Sequence, residues 1–117
     1  MTYEQKGDFG AAIADYNQAI TLESNDPWAS VDYYYSRAGA HRALDQHEQA
    51  LADCDVALAL VPDDPRGFYC RGLSEVAMSQ TDEARADFEQ AVSLTPVSAW
   101  SAWVTDAAQA ELDKIAP

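Results

Sequence analysis

Ionisable side chains recur at fixed steps along this 117-residue chain, and the recurrence limits the chemistry they can do. Arg37 and Arg71 are 34 residues apart, as are Asp53 and Asp87, while Asp15 precedes Asp53 by 38. General acid–base catalysis needs two carboxylates aimed at one substrate, and acids spread evenly along a repeating chain do not supply that. Guanidinium–carboxylate pairing inside the fold is the simpler use. Two sets of partners are open. Within a unit, Arg37 meets Asp53 and Arg71 meets Asp87, leaving Asp15 over. Between neighbours, Arg37 meets Asp15 and Arg71 meets Asp53, leaving Asp87 over.

The remaining reactive types fare no better. His41 and His47 are six residues apart with a predicted turn between them, whereas two ligands on one helix need a spacing of three or four. Even with Asp45 and Glu48 nearby, they read as solvated loop-edge histidines, and no metal site is expected. Cys54 and Cys70 have no C-x-x-C or zinc spacing. Each falls inside a predicted helix, so two buried free thiols are expected rather than a disulfide, which favours a reducing compartment. No G-x-S-x-G elbow, P-loop or G-x-G-x-x-G is present. The reading is of a chain that is not an enzyme, with no catalytic residue and no cofactor.

Charge narrows the partners. Twenty acids against seven bases give a net charge of −13. Phosphate backbones and anionic membrane surfaces are bound by clustered Lys and Arg, and these seven are dispersed, so neither nucleic acid nor membrane is an expected partner. No apolar run approaches the ~18 residues of a membrane span, and the N-terminus lacks the apolar core of a signal peptide. A cytoplasmic protein is the expectation.

The elements that position these residues come in copies. ALADCDVALALVPDD (50–64) has near-repeats in AIADYNQAITLESND (12–26) and ARADFEQAVSLTPVS (84–98). Ala50 to Ala84, Ala57 to Ala91, Leu60 to Leu94 and Pro62 to Pro96 are all steps of 34; Ala12 to Ala50, Ala19 to Ala57 and Leu22 to Leu60 are steps of 38. A 34-residue period of paired helices is the tetratricopeptide length. On Phe68, Gly72, Ala84, Phe88, Ala91 and Pro96, on Tyr34, Ala38, Ala50, Cys54, Ala57 and Pro62, and on Ala12, Tyr16 and Ala19, the chain resembles the tetratricopeptide repeat (TPR) family over most of residues 3–96. Ala38 replaces the usual Gly, Cys54 a large core residue, and Ser24 the closing Pro of the first unit.

The resemblance implies an all-α, TPR-type right-handed α-α superhelix of about 2.5 repeats plus a C-terminal capping helix. Residues 1–26 would be a partial repeat, 27–62 and 63–96 full repeats, and 97–117 the cap. Small residues seven apart (Ala12 and Ala19, Ala50 and Ala57, Ala84 and Ala91) lie on one helix face and let partners approach closely. Asp26-Pro27 and Asp64-Pro65 each put an acid at N-cap and Pro at the first helical position. Aligning these caps gives 38 residues while the following cores align at 34, so the first helix of the second unit is a turn longer. Gly7-Asp8 and Thr81 supply further caps. Helices are expected at roughly 1–6, 9–23, 27–44, 47–60, 65–79, 82–94 and 98–115. In the last, Trp100, Trp103, Val104, Ala107, Ala108, Leu112 and Ile115 form an apolar stripe.

The family's concave groove is lined by first helices and usually takes peptides. Carried over position by position, it would comprise Asp32, Tyr35, Ser36, Gly39 and Arg42, then Arg66, Tyr69, Cys70, Leu73 and Val76. The principal binding set is Asp32, Tyr35, Arg42, Arg66, Tyr69 and Leu73: two aromatic platforms, two cations able to receive a carboxylate, and apolar walls. The chaperone-binding carboxylate clamp is not expected, because Ser36 stands where Asn is needed and Cys70 where a cation is. The function read from the sequence is therefore a non-enzymatic scaffold for a protein or peptide. The alternative is an assembly subunit that self-associates, as a homo-oligomer, through an open N-terminal edge and the Trp-bearing last helix.

Overall fold

The computed structural model describes residues 9–22, 27–94 and 103–115. Among these, six α-helices and no strand occur: α1 Phe9–Leu22, α2 Pro27–Ala43, α3 His47–Leu60, α4 Pro65–Ala77, α5 Thr81–Ser93 and α6 Trp103–Ile115. The stub at 1–6, the caps at Gly7-Asp8 and Asp26, and positions 98–102 of the last helix, Trp100 included, lie outside the described residues. Each helix packs on its neighbours in the chain, and α2 also touches α4, as α4 touches α6. That alternation, with first helices meeting first helices, builds a stack of hairpins and leaves α2, α4 and α6 to share one side.

Helix ends follow local chemistry. Asp64 caps α4: its side chain accepts the Arg66 backbone N–H, and Pro65 occupies the first turn. α2 has 17 residues against 13 in α4, the extra turn that the spacing of the two Asp-Pro signals implies. Both first helices close the same way. Asp45 and Ser79 take left-handed φ of 59° and 63°, and the next residues, Gln46 and Gln80, each donate a 2.8 Å bond back to the carbonyls of His41 and Glu75. Thr81 does not cap α5. It is the first helical residue, and Gln80 precedes it without a side-chain cap bond.

The small residues are the seam. Ala38, Ala50, Ala57, Ala84 and Ala91 are all fully buried. Around Ala84 and Ala91, Phe88 joins Val104 and Ala108 of α6, with Leu112 and Ile115 packed alongside; this half of the apolar stripe covers α5. Trp103 does not join it and is 53% exposed.

Cys54 and Cys70 are joined by a disulfide between α3 and α4, Cα to Cα 5.7 Å. The expectation of two free thiols is therefore overturned. Sequence spacing carries no trace of this pairing, since the two residues occupy unrelated repeat positions and meet only because the second unit's core side chain is short enough to point into the third unit.

The seam is tight where Gly72 faces Phe88: a Cβ at Gly72 would lie 2.6, 2.8 and 2.9 Å from three ring carbons. Phe88 is wholly buried. Gly72→Ala should cost about 1–3 kcal/mol by overpacking, measurable as a lower urea midpoint at unchanged slope; equal stability would show that the ring can retreat.

Candidate protein-interaction groove

Two arginines act within the units. Arg37 donates through Nε and Nη2 to Asp53 at 2.9 and 2.6 Å, and Arg71 through the same atoms to Asp87 at 2.9 and 2.8 Å. Of the two sets left open by the sequence, the within-unit one is observed. The third nitrogen still reaches the previous unit, two positions beyond the expected acid: Arg37 Nη1 donates to Asn17 at 2.6 Å and Arg71 Nη1 to Asp55 at 3.3 Å. Each guanidinium also lies over a ring of its own helix, Tyr34 at 5.2 Å and Phe68 at 5.6 Å. Hydrogen bonds to Asp53 and Asp87 hold both guanidiniums above their ordinary values against the cost of burial. These groups tie hairpins together and are spent on structure.

His41 and Glu75 are equivalent residues beside those pairs. His41 is half-buried rather than solvated, with Nδ1 2.7 Å from Gln46 Oε1 and Nε2 3.8 Å from Asp53. His47 Nε2 lies 3.6 Å from the exposed Asp45 carboxylate. Among the described residues no group of three His, Cys, Asp or Glu is placed to hold a metal ion. The Glu75 carboxyl is buried and pushed up to about 8, first by that burial and then by its hydrogen bond to Asp87, with Arg71 opposing.

A cavity of about 380 Å³ opens between α2, α4 and α6. Asp32, Tyr35, Ser36 and Arg42 line it from α2, Arg66, Tyr69 and Cys70 from α4, and Trp103 from α6. Five members of the six-residue set read from the sequence thus share one surface. Leu73 does not; it packs against the Phe88 cluster. Gly39 belongs with Phe9 and Ala40 to a separate hollow of about 330 Å³ beside α1, and Val76 is exposed.

The two cations differ sharply. Arg66 is buried and already engaged: Nε and Nη2 donate to Asp64 Oδ2 at 2.9 and 2.6 Å, and Nη1 to Asp32 at 2.7 Å. It also lies 4.8 Å over the Tyr35 ring. Burial works against its charge, yet the bonds to Asp64 and Asp32 keep its pKa above the ordinary value. Arg66, read from the sequence as able to receive a carboxylate, thus already holds two from its own chain. Asp64, fully buried, caps a helix and anchors this cation at once; only the cap was legible in Asp64-Pro65. Tyr35 donates its hydroxyl to Asp64 at 3.4 Å, and burial followed by the Asp64 charge pushes its phenol upward.

Arg42 is different. Its Nη1 meets only weak acceptors, the Cys70 carbonyl at 3.5 Å and Cys70 Sγ at 3.6 Å, and no carboxylate among the described residues pairs with it. Burial pushes its guanidinium below the ordinary value, with Tyr69 opposing. Across the cavity, Tyr69 meets Trp103 edge-on, ring centroids 5.7 Å apart. Burial, then Glu111, raises the Tyr69 phenol. The groove therefore offers an unpaired cation, aromatic walls and the disulfide sulfur of Cys70. Trp103 was missed as a groove residue because its helical spacing fits the cap stripe equally well.

Tetratricopeptide repeat family models match residues 1–65 and 68–98. The chain belongs to the TPR family. Its fold is the all-α TPR superhelix, shared with the first TPR of Spaghetti (RPAP3) solved bound to the HSP90 peptide SRMEEVD (TM-score 0.76, 26% identity, 97% of this chain and 81% of that one). PcrH, solved in complex with the chaperone-binding region of PopD, matches at TM-score 0.80 with 18% identity over 97% of this chain and 82% of that one, a likeness of fold. Among curated proteins, small glutamine-rich tetratricopeptide repeat-containing protein 2 of Saccharomyces cerevisiae is 27% identical over 99 residues, 85% of this chain. This TPR chain spans 28% of that relative's length. Proteins sharing its repeats thus include binders of peptides and protein segments. No helix among its described residues is long and apolar enough to cross a membrane.

Two predictions follow from the buried charges. Asp64→Ala takes away the carboxylate that holds Nε and Nη2 of Arg66, leaving Asp32 on Nη1, and removes a cap; it should cost about 2–4 kcal/mol in chemical denaturation, and a loss below about 1 kcal/mol would mean the salt bridge contributes nothing net. Glu75 has a folded value near 8 against an ordinary 4.5, so between those limits the folded chain keeps a proton that the unfolded chain has released. Stability from this group is present below about pH 4.5 and declines as pH rises through about 8, by at most about 1.4 kcal/mol per pH unit for one proton. Glu75→Gln should remove that decline, and parallel pH profiles for the two proteins would contradict the assignment.

Proposed function

We propose that the α2–α4–α6 groove holds a short segment of a partner protein that carries a carboxylate, an acidic side chain or a chain terminus, beside an apolar side chain. The observation that carries this reading is Arg42, a half-buried cation facing the cavity with no carboxylate partner among the described residues. An isolated buried charge is costly, so an incoming anion recovers interaction energy that the free protein lacks. Tyr35, Tyr69 and Trp103 offer the flat amphipathic walls against which an apolar side chain can lie. The TPR of Spaghetti, solved with a peptide rich in acids, supports the same class of ligand.

This is not the chaperone clamp carried over intact. Arg66, which stands at one of its cationic positions, is bound to Asp64 and Asp32, and Cys70 is in a disulfide. The reading is of a non-enzymatic scaffold whose other charged groups tie helices together; the disulfide removes the argument from free thiols for a reducing compartment. Self-association through the last helix has the exposed Trp103 in its favour, but the contact of Trp103 with Tyr69 turns it towards the groove.

Displaying random heptapeptides with free C-termini against the full chain tests the proposal. Enriched sequences should place Asp, Glu or the terminus next to Leu, Met, Val or an aromatic residue. Arg42→Gln should weaken the best of them about ten-fold or more, whereas Asp15→Asn on the exposed face of α1 should not. Absence of enrichment, or binders indifferent to Arg42, would refute it.

A further inference from the structure

The disulfide and the unpaired cation are in contact, and neither the repeat pattern nor the seam requires that. Cys54 is wholly buried among Ala38 and Ala50; Cys70, 4% exposed, belongs to the same cluster but also lines the groove. Arg42 Nη1 sits 3.6 Å from Cys70 Sγ. We propose that Cys54–Cys70 is a redox switch on the groove: reduction releases Cys70 as a thiolate that pairs with Arg42 and withdraws that cation from an acidic ligand. The thiolate–arginine pair stands on this geometry alone; its effect on ligands rests on the groove reading above.

The charges around Cys70 favour this. From α2 come Arg42, Tyr35 and Asp32; from α4, Arg66 and Tyr69; from α6, Trp103, with Glu111 and Lys114 acting on Tyr69. From α3, Asp53 adjoins Cys54 in the chain. Asp53 is held by Arg37, and Asp32 and Asp64 by Arg66. Arg42 alone has its charge uncommitted and its guanidinium on the sulfur. A thiol beside an arginine ionises more readily than a free one, because the thiolate is the form the cation stabilises. In the oxidised protein the sulfur carries no charge and Arg42 is open to a ligand.

The exchange balances with a dithiol as reductant. One of its thiolates attacks Cys70 Sγ from the groove; the Cys54–Cys70 bond breaks, and Cys54 leaves and takes a proton. The reductant's second thiolate then displaces Cys70, closing its own disulfide and passing two electrons in total to the protein. Cys70 departs as a thiolate next to Arg42, with the second proton left in solvent.

Thiol chemistry on the full chain tests this without any peptide. Protein purified without reductant should resist iodoacetamide until treated with dithiothreitol; two thiols alkylating at once would overturn the proposal. After reduction, the pH midpoint for Cys70 alkylation, followed by peptide mass mapping, should lie at least about one unit below the usual ~8.5 of a free thiol. Arg42→Gln should raise it and Arg42→Lys should restore part of the shift, while slow alkylation of buried Cys54 reports that each variant stays folded. A Cys70 midpoint at or above ~8.5, or one unmoved by Arg42→Gln, overturns the pair. With an acidic heptapeptide selected on oxidised protein, reduction at pH 8 should weaken binding several-fold in wild type and leave Arg42→Gln unchanged; equal affinity in both redox states overturns the gating. If no heptapeptide is enriched, the groove reading fails by itself and the alkylation midpoints still decide the pair.

Discussion

How closely two helices may approach is set by the side chains between them, and here alanine sets it. Ala38, Ala50, Ala57, Ala84 and Ala91 are buried to completion. Each hairpin closed by such a seam remains apolar on a flank that only the next hairpin can cover. Covering it fixes the helix order in space, so first helices lie beside first helices, and α2, α4 and α6 share the wall of one groove. The groove is thus a by-product of how alanine lets the hairpins stack, and its residues are free to vary in chemistry as long as the seam is kept.

Units two and three solve the same packing problem with different volumes. In unit three, Gly72 removes a Cβ so that the Phe88 ring can fill the space. In unit two, Ala38 and Cys54 occupy the equivalent positions, a little more on one helix and much less on the other. The short side chain leaves its sulfur free to reach across to α4. A substitution that costs buried apolar area in one hairpin thereby supplies a covalent link to the next. The arginine positions show the same economy: Arg37 and Arg71 each join their own hairpin through two nitrogens and the previous one through the third, so one side chain enforces both the closure of a hairpin and its register against its neighbour.

What was legible in the sequence was whatever repeats. Helix positions, the alanine seam and the alliance of Arg37 and Arg71 with repeated aspartates all recur at a fixed step, and recurrence separates structure from chance. The choice between two pairings was not legible, because both preserve the period; a difference of a few ångströms in helix offset decides it. The disulfide was not legible either, since it joins positions that the period treats as unrelated. The partners of Arg66 were not legible because its acids lie two residues upstream and 34 residues back, and only the fold brings Asp64 and Asp32 to the same guanidinium. Leu73 and Trp103 show the limit of helical periodicity, which fixes a face to within about a residue and cannot say which of two neighbouring surfaces that residue will join.

An acidic segment in the groove, as proposed above, would pose an electrostatic question whose answer depends on range. The net charge of −13 opposes the approach of an acidic segment. At physiological ionic strength that field fades over about 8 Å, while a half-buried contact is screened far less. In the proposed complex the long-range term would therefore act mostly on the rate of encounter, and Arg42 on the lifetime once water has been displaced. Against such a background one uncommitted guanidinium discriminates strongly: an acidic segment that misses it meets only repulsion, and a neutral segment leaves it desolvated and unpaired. Specificity in that complex would come as much from the carboxylates that have already claimed Arg37, Arg66 and Arg71 as from Arg42 itself, since each cation they withdraw is one fewer place where the wrong acidic segment could settle.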